Sequence, residues 1–202
     1  MQKKTIVLLL VVFLASCAMP ETRIYSLNIS DPPSAKEGIE GSSGKTSTKA
    51  DAAVIVMISS PRYLTQPYIA YRSSPYQLAV SKYSKWDSPP DELVREAFKG
   101  SLLSTRMFRE VRTSHIVPNG FYSLKIDLKR FERFDEGDLS FGEVAFDVSL
   151  LSPEGENLYR NSFLWKTKLE DRSFLSLAKA LSKALGAGVR EAGDNIVKSL
   201  RK

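Results

Sequence analysis

Glu143-Val144-Ala145-Phe146-Asp147-Val148-Ser149-Leu150 alternates with a period of two. Val144, Phe146, Val148 and Leu150 share one side, and Glu143, Asp147 and Ser149 share the other. Successive side chains of a β-strand point to opposite faces, so this is the pattern of a strand with one dry and one wet face. The pattern recurs on both sides. Upstream, Tyr122 to Lys129 sets Leu124, Ile126 and Leu128 against Lys125, Asp127 and Lys129. Downstream, Pro153-Glu154-Gly155-Glu156 supplies a turn, and Leu158 to Lys168 returns with Phe163 and Trp165 on one side. Half-dry strands in succession predict an antiparallel meander.

The dry face needs a cover, and two segments with a helical period provide it. Leu93, Val94, Ala97, Phe98, Leu102 and Leu103 fall on one face of a helix. Its start is marked by Ser88 as N-cap, Pro89 at the first helical position and Asp91 completing a capping box. From Phe174 to Leu200, Leu177, Leu181, Leu185, Val189, Ala192 and Ile196 keep the 3.6 period. Gly186, Gly188 and Gly193 lie inside this segment and mark either a close crossing or a break. Before the meander, Val54-Ile55-Val56-Met57-Ile58 is a continuous apolar run suited to a central strand. Tyr68 to Arg72 and Gln77 to Ser81 form a hairpin across Ser73-Ser74-Pro75, and Arg23 to Leu27 reads as a short first strand. The expected fold is α+β: a single two-layer sandwich, with a mainly antiparallel sheet and two amphipathic helices packed on one face.

The N-terminus reads as an export signal. Lys3 and Lys4 precede an apolar run from Ile6 to Leu14, about half of the ~20 residues that a membrane-spanning helix needs. Leu14-Ala15-Ser16-Cys17 follows and resembles a bacterial lipobox, whose cysteine becomes the acylated first residue after cleavage. Cys17 is the only cysteine, so no disulfide is available. One acyl chain holds a protein to a bilayer marginally, and two or three hold it firmly. Ala18 stands where enteric bacteria place the aspartate of inner-membrane retention, which favours the periplasmic face of the outer membrane. The expected division is a signal peptide at 1–16, a lipidated and polar segment at 17–52, and an α+β domain at 53–202.

The stretch 30–51 is rich in Pro, Gly, Ser, Thr, Lys and Glu, and too poor in apolar residues to offset its ordering entropy. It is expected to be a flexible loop. Within it, Gly41-Ser42-Ser43-Gly44-Lys45-Thr46 imitates the end of a phosphate-binding loop. Ile39 stands where that motif needs its first glycine, and no strand leads in.

The chain has a net charge of +6, with both signs mixed throughout. The mature part is only mildly basic, which describes a solvated surface and not a nucleic-acid partner. His115 is the only histidine and precedes a Pro118-Asn119-Gly120 turn. Without a second histidine or a free thiol, a metal site lacks its usual ligands, and no cofactor is expected beyond the lipid on Cys17. Ser176-Leu177-Ala178-Lys179 has Ser-x-x-Lys spacing without the partner motifs of acylating hydrolases. Glu132, Asp135, Glu136 and Asp138, beside Arg130 and Arg133, read as a solvated hairpin tip. A non-catalytic protein is expected. Tyr63, Tyr68, Tyr71, Tyr76, Tyr83 and Trp86, interspersed with Arg62, Arg72, Lys82 and Lys85, divide between core and a protein-contact surface.

Pro61-Arg62-Tyr63-Leu64-Thr65-Gln66-Pro67-Tyr68-Ile69-Ala70-Tyr71-Arg72 resembles the P-x-Y-L-x-R-P-x-I-x-x-R stretch of the PqiC-like auxiliary lipoproteins of ABC-type transport systems. The hairpin ending at Trp86 before a helix, the early Ile24-Tyr25-Ser26-Leu27 and the lipobox are similar to that family as well. Gln66 departs from it, standing where a basic residue is usual. The resemblance implies a partner of an MCE-domain lipid transporter, lipid-anchored at the membrane and able to form a homo-oligomeric ring. It makes Pro61, Tyr63, Leu64, Pro67, Tyr68, Arg72 and Trp86 the residues that make or shape the partner contact. The rival expectation is a periplasmic lipid carrier with an acyl chain held between sheet and helices.

Overall fold

The structure is a computed structural model that describes residues 21–29 and 52–201. The signal segment, Cys17 and the polar stretch 30–51 lie outside the described residues. The elements in chain order are β1 (Arg23–Tyr25), β2 (Ala53–Ser59), a 3₁₀ turn (Arg62–Leu64), β3 (Tyr68–Ser74), β4 (Gln77–Trp86) and α1 (Pro90–Thr105). There follow β5 (Glu110–Thr113), β6 (Phe121–Glu136), β7 (Leu139–Leu151), β8 (Asn157–Lys168) and α2 (Phe174–Leu200). The fold is α+β, with two helices and one open, mostly antiparallel sheet of eight strands.

The predicted meander is β6–β7–β8, and β6 organises the rest. β7 occupies one edge of β6 from Ser123↔Leu151 to Glu136↔Leu139. The other edge is shared: β2 pairs with its first half, from Ala53↔Phe121 to Ser59↔Asp127, and β3 takes over at Tyr71↔Arg133 and Arg72↔Phe134. Both of these pairings are parallel, as are β2–β5 and β1–β4. Parallel neighbours need a crossover, and α1 lies in the connection from β2 onward to β5 and β6. Between the two halves the β6–β7 register shifts, leaving Lys129 as an extra residue between Leu128 and Arg130. Such a bulge reverses which parity faces the core. Leu124, Ile126 and Leu128 are buried before it, and Phe131 after it.

Both helices contribute to one core. From α1, Val94, Phe98 and Leu102 join Leu177, Leu181, Leu185, Val189 and Ile196 of α2 against Leu124, Leu128, Val144, Phe146 and Val148 of the sheet. Each such side chain contributes roughly 1.5–3 kcal/mol on burial. The rings interlock: Phe98 meets Phe146 edge-on at 5.2 Å, and Phe146 meets Phe163 at 5.3 Å.

Helix α1 begins one residue later than its capping signals predict. Pro89 occupies the cap without a side-chain bond, and Pro90 is the first helical residue. Asp91 accepts a hydrogen bond from its neighbour Glu92 N at 2.9 Å, so it does not reach back to Ser88. Helix α2 is capped by Ser173, whose Oγ accepts from Ser176 N at 3.1 Å, and it runs unbroken. Gly188 and Gly193 mark close crossings. A Cβ on Gly188 would lie 2.8 Å from Trp165 Cδ1 and 3.0 Å from Phe146 Cζ, and one on Gly193 would lie 3.1 Å from Ser101 Oγ of α1.

Candidate functional site

The stretch Pro61 to Arg72 crosses the sheet where β6 changes partners. Pro61 starts a tight turn in which Leu64 N donates to Pro61 O at 2.9 Å and Thr65 N to Arg62 O at 3.3 Å. Leu64 is buried as a plug beneath it. Pro67 then positions β3, and its carbonyl accepts from Trp86 N at 2.7 Å, which fastens the end of β4 to the turn. Within the turn Pro61, Arg62, Thr65 and Gln66 are exposed.

Two inward-facing polar residues lock this segment to β6. The single proton of Tyr63 Oη is shared between Glu132 Oε2 at 3.2 Å and the carbonyl of the bulged Lys129 at 3.3 Å. Arg72 Nε lies 2.6 Å from Glu132 Oε1, and its Nη2 donates to Oε2 at 3.1 Å. The Glu132 side chain has 0% exposure. A carboxylate removed from water is tolerated only when its charge is met at close range, and Arg72 meets it with a close ion pair through Nε and one hydrogen bond from Nη2. Burial, followed by the nearby Glu132 charge, pushes the Tyr63 phenol up to about 12. The hydrogen bond with Glu132 raises the Arg72 pKa above its ordinary value.

Glu132 has a like-charged neighbour. It pairs in register with Glu143 of β7, itself nearly buried. Like charges directly opposite destabilise a sheet unless cations intervene. Arg130 Nη1 lies 3.0 Å from Glu143 Oε2, and Lys166 of β8 lies 3.9 Å from Glu143 Oε1. Lys166 also sits over the Phe141 ring at 4.2 Å and the Phe134 ring at 4.9 Å. The sheet face away from the helices therefore carries a charge ladder from Arg72 through Glu132 and Glu143 to Lys166. Tyr63 and Arg72 tie the Pro61–Pro67 turn to the Glu132 end of this ladder.

This arrangement corrects several expectations. Trp86 is 2% exposed and packs edge-on against Phe131 at 5.5 Å, so it is a core residue and not a contact surface. Leu64 is likewise core. The side chains of Tyr63 and Arg72 are turned toward Glu132. Of the seven expected residues, Pro61 and Tyr68 are exposed and Pro67 is partly so. Glu132 is no hairpin tip: β6 continues through it to Glu136, and only Gly137 and Asp138 turn the chain. The other aromatics divide, with Tyr71 against Phe174 of α2 at 6.4 Å and Tyr76 and Tyr83 exposed. His115 is exposed, and Lys179 faces Glu170 at 3.6 Å. The buried acid pair was missed by sequence reasoning. Its signal was Phe131, next to Glu132 and out of phase with Leu124, Ile126 and Leu128.

Comparisons with known proteins agree with the fold. The chain is similar to a crystal structure of a Xanthomonas campestris protein of the DUF330 family, with 17% identity, a TM-score of 0.72, and coverage of 88% of this chain and 96% of that one. It is also similar to a crystal structure of an uncharacterized protein, with 16% identity, a TM-score of 0.61, and coverage of 90% and 99%. At these identities the likeness is one of fold. No curated protein sequence matches the chain. No helix among the described residues is long and apolar enough to cross a membrane. The family model for the ABC-type transport auxiliary lipoprotein component matches residues 38–192, which take in β2 through most of α2 and the locked turn. The chain belongs to the family of ABC-type transport auxiliary lipoproteins.

Proposed function

We propose that this auxiliary lipoprotein is a non-catalytic docking component of an MCE-type lipid transport system, held through an acylated Cys17 at the periplasmic face of the outer membrane. The observation that carries this reading is the locked turn. Tyr63, Arg72 and Glu132 fix a segment whose exposed tip consists of Pro61, Arg62, Thr65 and Gln66, with Tyr68 beside it. A contact surface ordered in advance loses little entropy on binding, which is what a docking element needs.

The filled core favours docking over carriage of a lipid. The space between sheet and helices is occupied by interlocking rings of Phe98, Phe146 and Phe163, and by Trp86 on Phe131. An acyl chain entering the centre of this layer would have to displace them. Several anchored copies around one transporter would add weak contacts by avidity, so a homo-oligomer fits the same role.

The test is affinity capture of the full-length acylated protein from cross-linked cell envelopes, read by mass spectrometry. Enrichment of an MCE-domain protein is expected. Stoichiometric phospholipid in the eluate without such a protein would replace docking by carriage.

A further inference from the structure

The β1–β3–β4 end of the sheet has a composition unlike the rest. Six of the twelve exposed large hydrophobic side chains among the described residues lie there: Ile24, Tyr68, Tyr76, Leu78, Val80 and Tyr83. Tyr76, at the tip of the β3–β4 hairpin, is 97% exposed, and Ile24 is 69% exposed. The same three strands contain Arg23, Arg72, Lys82 and Lys85 and no acidic residue. Arg72 is committed to Glu132, which leaves Arg23, Lys82 and Lys85 as the cations of the outer strands. Exposed tyrosines and aliphatics interspersed with Lys and Arg are the composition of surfaces that rest at a membrane interface.

Chain direction points the same way. β1 runs parallel to β4, with Arg23 beside Ser84 and Tyr25 beside Trp86. The N-terminal end of β1 therefore points toward the hairpin-tip end of β4. Arg23 follows Cys17 by six residues, a span of at most roughly 20 Å even when fully extended. The locked turn lies at the opposite end of the ribbon, where Trp86 N bonds Pro67 O.

We propose that the tip of the β3–β4 hairpin rests in the headgroup region of the phospholipid bilayer that carries the Cys17 anchor. Tyr76, Leu78 and Val80 contact the lipid, and Lys82 faces its anionic headgroups. The ribbon then stands on the membrane and directs the docking turn away from it. This inference rests on acylation of Cys17, not on the identity of the transporter.

Site-directed spin labelling of the full-length acylated protein tests it, in vesicles of phosphatidylethanolamine and phosphatidylglycerol with no partner present. With the Cys17 thiol acylated, Tyr76→Cys, Leu78→Cys and the control Leu164→Cys each offer the only free thiol. Leu164 is 62% exposed on β8, at the far side of the sheet. Labels at 76 and 78 are expected to collide several-fold less often with a water-soluble nickel chelate, and more often with oxygen, than the label at 164. Equal access at all three positions overturns the proposal. So does spin–spin broadening at 76, which would put a second copy there, and so does a mass spectrum showing unmodified Cys17. Because no transporter is present, failure here is distinct from failure of the docking role.

Discussion

Arg72 Nε lies 2.6 Å from Glu132 Oε1, and this contact ties the Pro61–Arg72 segment to a carboxylate with no exposed surface. Removing one partner of a buried pair strands the other charge, which costs about 3–5 kcal/mol. Arg72→Ala is therefore expected to lower the denaturant midpoint strongly without changing the core. Joint replacement, Arg72→Met with Glu132→Leu, should recover much of the loss, since two apolar groups leave no stranded charge. A double variant as unstable as Arg72→Ala would show that packing, not charge, holds the segment.

Tyr63 makes the same lock sensitive to alkali. Burial and the Glu132 charge raise its pKa from 10.0 to about 12, which means that the folded chain keeps a proton the unfolded chain has released. Stability from this group is complete below pH 10 and is lost as pH rises through about 12. Tyr63→Phe should cost about 1 kcal/mol at neutral pH through its lost hydrogen bonds. It should also show a smaller fall in stability above pH 10 than the parent. Parallel urea titrations of parent and variant on either side of pH 10 give both quantities.

Two glycines of α2 should respond oppositely to alanine. At Gly188 the new Cβ would enter Trp165 and Phe146, and overpacking of this kind costs about 1–3 kcal/mol. At Gly186 it meets only Ile29 Cγ2 at 3.5 Å, an ordinary contact. Gly186→Ala is then expected to stabilise by about 0.5–1 kcal/mol through helix propensity. Thermal melts of the two variants should move in opposite directions.

Trp86→Ala tests the correction made at that position. As a core residue packed on Phe131, it should cost about 3–5 kcal/mol, the range for deleting a buried aromatic side chain. A variant of parental stability with lost partner capture would restore Trp86 to the contact surface.

The legible part of this chain is the part set by local periodicity. The alternation from Glu143 to Leu150 located β7, though the strand starts earlier at Leu139, and the 3.6 period from Phe174 to Leu200 located α2. The bulge at Lys129 broke the period-two pattern, so Arg130 to Glu136 read as a charged loop and the burial of Glu132 was hidden. The parallel pairings of β2 and β3 on one edge of β6 are long-range topology, which no local pattern encodes. Trp86 and Tyr83 look alike in sequence, both aromatic next to a lysine. Three residues apart on one strand, they fall on opposite faces, and only the long-range packing against Phe131 decides that Trp86 is the one turned inward.

The central claim is that the locked turn is where a partner docks. A photo-crosslinking residue at the exposed Gln66 position, in cells expressing the full-length protein, tests it most directly, with the same group at Leu164 on β8 as reference. The account predicts an adduct with an MCE-domain protein at position 66 and none at 164. An adduct at 164 but not at 66, or only lipid adducts at 66, would contradict it.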